Sequence, residues 1–300
     1  MLLVSGYRWR NDLSTCESQT MISVVTGFAT AFFFAIGMIA AARASRSVHA
    51  TQVIALSALI SSLFVVPWAL SDGVPTLTTG QTGLMLVSGI GSIFGFLCVY
   101  TALKYGKVGL VAPIVATEGG IAALISSILG RSVDPIIAFV LLIIVLGIVI
   151  GARSHDPDPF PGEKPVHAAL FAVAGSLLFA MGLVAVGLLS GDVMLSWVLL
   201  PARLVGVAIL TIPLLLLGRL RVPRRILAWV VLLATVDVIG ISTYTIGAAS
   251  DLPVTAVLAS QMAPLAAVLA FVLFKERLGR GQIVGLMLMM AGMTVLGVLQ

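Results

Sequence analysis

The chain has 300 residues, of which 60% are apolar and only 10% charged. A soluble domain carries about 25% charged residues and roughly 45–50% apolar ones, so this composition excludes a soluble fold and defines an integral membrane protein. A mean hydropathy of +1.17 agrees. The net charge of +5 is no nucleic-acid signal, because the basic residues sit in short gaps between apolar runs and report orientation in the bilayer. Two cysteines, Cys16 and Cys98, exclude a disulfide framework. No Cys/His spacing resembles a metal site, so no metal or other cofactor is expected.

Residues 1–20 are polar and contain Arg8, Arg10, Asp12 and Glu17. They lack the small-residue cleavage pattern of a removable signal peptide, and Met21 is an alternative start. A spanning helix needs about 20 mainly apolar residues. The polar gaps delimit ten such stretches, at residues 21–42, 51–70, 82–103, 108–129, 134–152, 167–190, 194–217, 226–248, 252–274 and 282–300. The breaks at Ser71–Gly73 and Gly218–Arg225 are clear, whereas those at Lys104–Lys107 and Leu252–Pro253 are tight enough to demand hairpins. The one sizeable linker is Ser154–Pro165, SHDPDPFPGEKP, whose prolines forbid a continued helix.

An internal repeat sets the architecture. A shift of 145 residues lays FAIGMIAAARAS (Phe34–Ser45) onto FAMGLVAVGLLS (Phe179–Ser190), and without a gap it pairs Gly95 with Gly240, Leu124 with Leu269 and Gly147 with Gly292. The expected organisation is therefore a polar tail (1–20), a five-helix unit (21–153), a linker (154–166) and a second five-helix unit (167–300). Five is odd, so the second unit must enter the membrane from the opposite face. Thirteen Lys and Arg fall in the gaps on one face, against Arg8, Arg10 and Arg131 on the other. Cytoplasmic loops hold such an excess, which places both termini outside a multi-pass protein of the cell membrane. The expected fold is all-α: ten transmembrane helices as two inverted five-helix repeats.

An ionisable side chain within the hydrocarbon layer costs a few kcal/mol or more, so it needs a partner, a wet cavity or a function. Three lie deep: Glu118 in the fourth stretch, Arg203 in the seventh and Asp237 in the eighth. The repeat relates Glu118 to Ala263 and Asp237 to Ser92, so each half contributes differently. One reading places all three around a midplane cavity between the halves, holding a proton or substrate. The other is a static Arg203–carboxylate pair that fixes packing. The fourth stretch reads VAPIVATEGGIAAL, where Pro113, Gly119 and Gly120 can open the helix beside Glu118. The ninth carries Pro264 at its middle and Gln261 nearby, as a polar ligand or as interhelical glue. Tyr100 lies in the third stretch, and Thr243 and Tyr244 in the eighth. Asp237 and Tyr244 share a helix face that suits an amine or a ring, although a membrane Tyr is more often an interfacial belt residue. Gly91–Gly95 and Gly147–Gly151 allow close helix approach within the chain or between copies, which leaves a homodimer open. No Walker loop, nucleophile elbow, HExxH or dinucleotide fingerprint occurs, so no enzyme is expected.

The segment Leu252–Val298 carries Pro264, Glu276, Gln282, Gly285 and Gly292 in an arrangement that resembles the EamA-type members of the drug/metabolite transporter superfamily. Arg203 in LLPARLVGVAIL and the hairpin YTALKYGKVGLVAPI are similar to the same family. In the first half, Gly119, Arg131 and Ala58 stand at the positions of Pro264, Glu276 and Arg203, so that half departs from the pattern. The resemblance implies secondary export or exchange of small metabolites, amino acids or related zwitterions by alternating access. It leaves two alternatives: proton-coupled export of cationic drug-like solutes, and a non-carrier channel or sensor. The expected partners are a small-molecule solute and lipid.

Overall fold

In hydrocarbon every backbone N–H and C=O must be satisfied within its own segment, and this chain answers with helices. The computed structural model describes residues 3–118, 121, 125, 135–155, 158–189, 193–250, 255, 258, 259 and 261–299. In chain order the helices are α1 (Leu3–Ser45), α2 (Ala50–Ser71), α3 (Thr79–Tyr105), α4 (Val108–Val115), α5 (Pro135–Arg153) and α6 (Pro165–Leu189). They are followed by α7 (Leu195–Leu216), α8 (Arg224–Ser250), α9 (Met262–Phe274) and α10 (Arg280–Leu299). The protein is all-helical among the described residues. Six helices there are long and apolar enough to cross a membrane: the Met21–Ser45 part of α1, then α2, α3, α6, α7 and α8.

Local sequence accounts for the ends. Thr78 and Gln81 cap α3 reciprocally, each side chain meeting the other's backbone N–H. Pro165 opens α6 where no intrahelical N–H is needed. Lys275 closes α9 in the left-handed region at φ 56°, a conformation that costs a residue with a Cβ about 1–2 kcal/mol.

Three expectations need correction. Helix α1 begins at Leu3 and includes the polar tail, which has no proline to stop it. The fourth stretch is not one helix from 108 to 129: α4 ends at Val115, the chain turns at Ala116 and Thr117, and helix resumes at Glu118. Pro264 does not break α9 at its middle but sits in its first turn, where a missing N–H is harmless. The interruption precedes it, at the turn residue Gln261. Gln261 is Ala116 shifted by 145, so both broken helices break at equivalent positions.

Lipid tails are as apolar as leucine, so close van der Waals packing must join the helices. The buried positions accordingly hold many Ala, Gly and Ser, while Leu63, Phe64, Phe139, Leu170 and Phe271 face outward. Helix α1 packs along α8 and α3 along α6, α2 pairs with α7, α4 with α9 and α5 with α10. Gly95 lies against Phe179 on the α3–α6 seam and Gly240 against Phe34 on the α1–α8 seam. These two pairs are one pair shifted by 145 with the partners exchanged. Gly147 against Met289 and Gly292 against Ile144 repeat the exchange in α5–α10, where rising numbers meet falling ones, so the two helices run antiparallel.

The α5–α10 seam supplies a test. A Cβ at Gly285 would stand 2.6 Å from the Gly147 carbonyl oxygen and 2.8 Å from Gly151 N, and backbone cannot swing aside. Gly285→Ala should therefore cost about 1–3 kcal/mol and lower the thermal midpoint in detergent. Gly83→Ala, with nothing within 4 Å, should hold or raise it.

Candidate functional site

Arg203 lies in α7 one turn before a π-helical segment, Val207–Thr211. Its side chain is 8% exposed, and Nη2 donates to Oδ2 of Asp237 in α8, whose side chain is 25% exposed. The pair lies inside two apolar spans and is far from either helix end. It lines a cleft with Tyr100 of α3, Ser57 and Ser61 of α2, and an apolar wall that includes Ile54 and Phe96. Tyr100 is 4% exposed and lies within electrostatic range of both Asp237 and Arg203. Its ring is steadied by Phe96 at 5.5 Å, which packs in turn on Phe179 at 4.9 Å. Two helices of each half thus supply the cleft, and they are repeat partners: α2 with α7, and α3 with α8.

Glu118 is not among the residues lining that cleft. It stands where the chain re-enters helix after α4, partly buried, within electrostatic range of Tyr244. Tyr244 lies seven residues after Asp237, about 10 Å along α8. Asp237 on α8 and Glu118 beside Tyr244 therefore belong to two neighbouring clusters along that helix. Thr243 turns to α1 instead, its hydroxyl 2.9 Å from that of Thr30. Pro113, Ala116, Gln261 and Pro264 meet in a second pocket, closed by Met289 and Met293 of α10, so the two broken helices face each other there. Gly119 and Gly120 lie outside the described residues.

Charges at one end of the bundle, which sequence showed only as loop residues, are drawn inward. Arg46 donates to Glu276 at 2.7 Å and to the carbonyls of Leu103 and Gly106 at 3.1 Å. Its guanidinium lies over the rings of Phe160 and Phe274. The other oxygen of Glu276 accepts from Val108 N at 2.9 Å, and the 1%-exposed Lys107 donates to the Arg277 carbonyl. The left-handed Lys275 turns Glu276 toward this knot. Around α2 and α7, the opposite end is joined by Ser196 donating to Asp72 and by the Trp197 indole donating to the carbonyls of Ala69 and Gly73. Sequence reading missed Ser57, Ser61 and this knot. The i, i+4 serines in an apolar helix were the available signal; of the knot, only Glu276 stood out, as part of the resemblance.

The protein is thus a multi-pass helical membrane protein with polar clusters inside its bundle. Residues 21–152 match the model of the EamA-like transporter family, so that part of the chain is similar to a family of membrane transporters. None of the curated proteins matches it in sequence. A solved structure titled only "Crystal structure of protein" superposes with a TM-score of 0.59 at 20% identity, over 92% of this chain and 96% of that one. At that identity the likeness concerns the fold.

The pair makes a definite prediction. Removing one partner of a buried ion pair costs about 3–5 kcal/mol, whereas replacing both by apolar groups costs far less. Arg203→Leu should lower the thermal midpoint more than Arg203→Leu combined with Asp237→Leu. Additive losses in the double-mutant cycle would show that the two charges are not coupled.

Proposed function

We propose that the protein is a secondary active transporter, exporting or exchanging small metabolites such as amino acids or related zwitterions by alternating access. All ten helical stretches would span the cell membrane as two inverted five-helix units, with the Arg46–Glu276 end cytoplasmic. The observation that carries this reading is the Arg203–Asp237 pair, set deep in apolar helices yet opening on a cleft shared by both halves. Substrate sites of inverted-repeat transporters lie at such interfaces, beside interrupted helices. The exchanged glycine contacts and the antiparallel α5–α10 pair support the inverted repeat: a two-fold axis relating antiparallel helices lies across them, in the membrane plane. The matched breaks at Ala116 and Gln261 support it as well. Thirteen basic residues on one face support the orientation.

In this mechanism Arg203 and Asp237 hold the solute, and Glu118 carries a proton between the faces. The charged knot closes the cytoplasmic end while the other end admits solute; its release then exposes the cleft inward. Glu118 beside Tyr244 also favours a second reading, in which this acid–aromatic cluster takes a cationic solute.

Counterflow in proteoliposomes tests the carrier. A solute selected from metabolite pools by thermal shift should enter faster when the same solute waits unlabelled inside, and a channel would show no such acceleration. Glu118→Gln should retain counterflow and lose gradient-driven accumulation; retention of both would remove the proton role, and loss of both for a cationic solute would favour the second reading.

Closure at the knot has its own test. A Cβ at Gly109 would stand 3.3 Å from Leu278 Cγ, within disulfide reach. In a chain with Cys16→Ser and Cys98→Ser, Gly109→Cys with Leu278→Cys should lose counterflow on oxidation and regain it on reduction. Full activity while crosslinked would show that this end does not open.

A further inference from the structure

A guanidinium has five N–H donors, and Asp237 accepts from one nitrogen of Arg203, Nη2. Arg203 is 7% exposed, and its Nε is buried with no acceptor among the described residues. A buried donor left unpaired costs about 1–3 kcal/mol. The residue lines the α2–α3–α7–α8 cleft, and among the described residues nothing accepts from its Nε. Tyr100 adds a phenolic hydroxyl on the same wall. The remainder of the lining is mostly apolar, with Ile54, Ile93, Phe96 and Leu233 beside the hydroxyl-bearing Ser57 and Ser61.

We infer that this cleft binds the carboxylate of a small, largely apolar solute, with Arg203 Nε as its anchor and the Tyr100 hydroxyl as a second donor. The inference rests on the cleft being the transport site and names the class of solute it takes. Arg fits this role because its planar fork can serve two carboxylates from different nitrogens. Asp237 then has two effects. It holds the guanidinium in place, and it competes for the same positive charge, which keeps the solute from binding too tightly to leave. One cation facing two carboxylates has a net charge of −1, which the apolar layer resists. A monocarboxylate therefore enters with one proton. An amino acid needs none, since its ammonium supplies the missing charge opposite Asp237.

The test uses the purified full chain in nanodiscs with four probes: 4-methylpentanoate, 4-methylpentanamide, leucine and 3-methylbutylamine. Expected are a higher thermal midpoint with the two carboxylates and no shift with the amide or the amine. Calorimetry in buffers of different ionisation enthalpy should report proton uptake with 4-methylpentanoate and not with leucine. Asp237→Asn removes the internal competitor and should tighten 4-methylpentanoate binding by roughly tenfold, a gain that a merely structural ion pair would not give. Should that variant fail to fold, Tyr100→Phe should weaken the acid several-fold. Equal shifts with acid and amide, shifts with the amine alone, no shift with any probe, or unchanged affinity in Tyr100→Phe would each overturn the assignment. Counterflow of the bound acid separates the two claims. Binding without counterflow removes the carrier and leaves the anion site; counterflow of another solute without acid binding does the reverse.

Discussion

A guanidinium and a carboxylate set midway along apolar helices constrain everything around them. Neither charge is tolerable alone in hydrocarbon, so α7 and α8 must keep the depth at which Arg203 meets Asp237. That depth in turn fixes which residues of α2 and α3 can stand opposite. Ser57 and Ser61 present hydroxyls there rather than further leucines, and Tyr100 presents its phenol. The π-helical segment after Arg203 adds an extra residue to a turn, and Thr211 within it donates to the Ala55 carbonyl of α2. A register change of this kind recurs beside functional groups. Here it lets α7 satisfy its own ladder, hold Arg203 on the cleft and still bond to α2.

The second constraint comes from the helix breaks. A straight helix leaves no polar backbone free, so a site that must bind and release polar solutes needs an interruption buried in protein. Both halves interrupt the same helix at the same place, with different side chains at the break: Ala116 in the first half, Gln261 in the second. Glu118 then follows in the first, and Pro264 in the second. The 145-residue shift relates the two breaks in sequence, while the side chains around them differ. Arg203 and Asp237, whose repeat positions hold Ala58 and Ser92, could not arise in a strictly symmetric bundle.

Much of this was legible in the chain. Composition implies the bilayer, and the constant shift of 145 implies two related units. Arg203, Asp237 and Glu118 stand out as charges in apolar runs. What sequence could not say is which charges meet. It left Glu118 and Asp237 around one vestibule, whereas they serve separate clusters joined along α8. The reason is rotational: a residue's depth follows from its place in an apolar run, but which neighbouring helix it faces depends on tilt and crossing angle, which no single stretch encodes. Thr243 faces α1 and Tyr244 lies near Glu118, although they are adjacent in sequence. Arg46 and Lys107 illustrate a different limit. They look like ordinary loop charges because burial of a loop by other loops leaves no local pattern. Likewise Pro264 marks the break in the ninth stretch without causing it.

The two ends of the bundle differ in a way that matters to any carrier built on it. Around Asp72 and Trp197 the closing contacts between α2 and α7 are few and local. At the other end a carboxylate, a guanidinium and an ammonium are drawn in among backbone carbonyls and two aromatic rings. Such a knot gains little net stability, because desolvating three charged groups offsets most of their attraction. That balance is what a reversible closure requires. When water enters, each group recovers its hydration as it loses its partners, so opening costs far less than exposing an apolar seam of equal area. A seam of leucines would hold the end shut as firmly in either state of loading. Charges held by a nearly cancelling account leave the choice to a small signal, such as one filled or empty cleft deeper in the bundle.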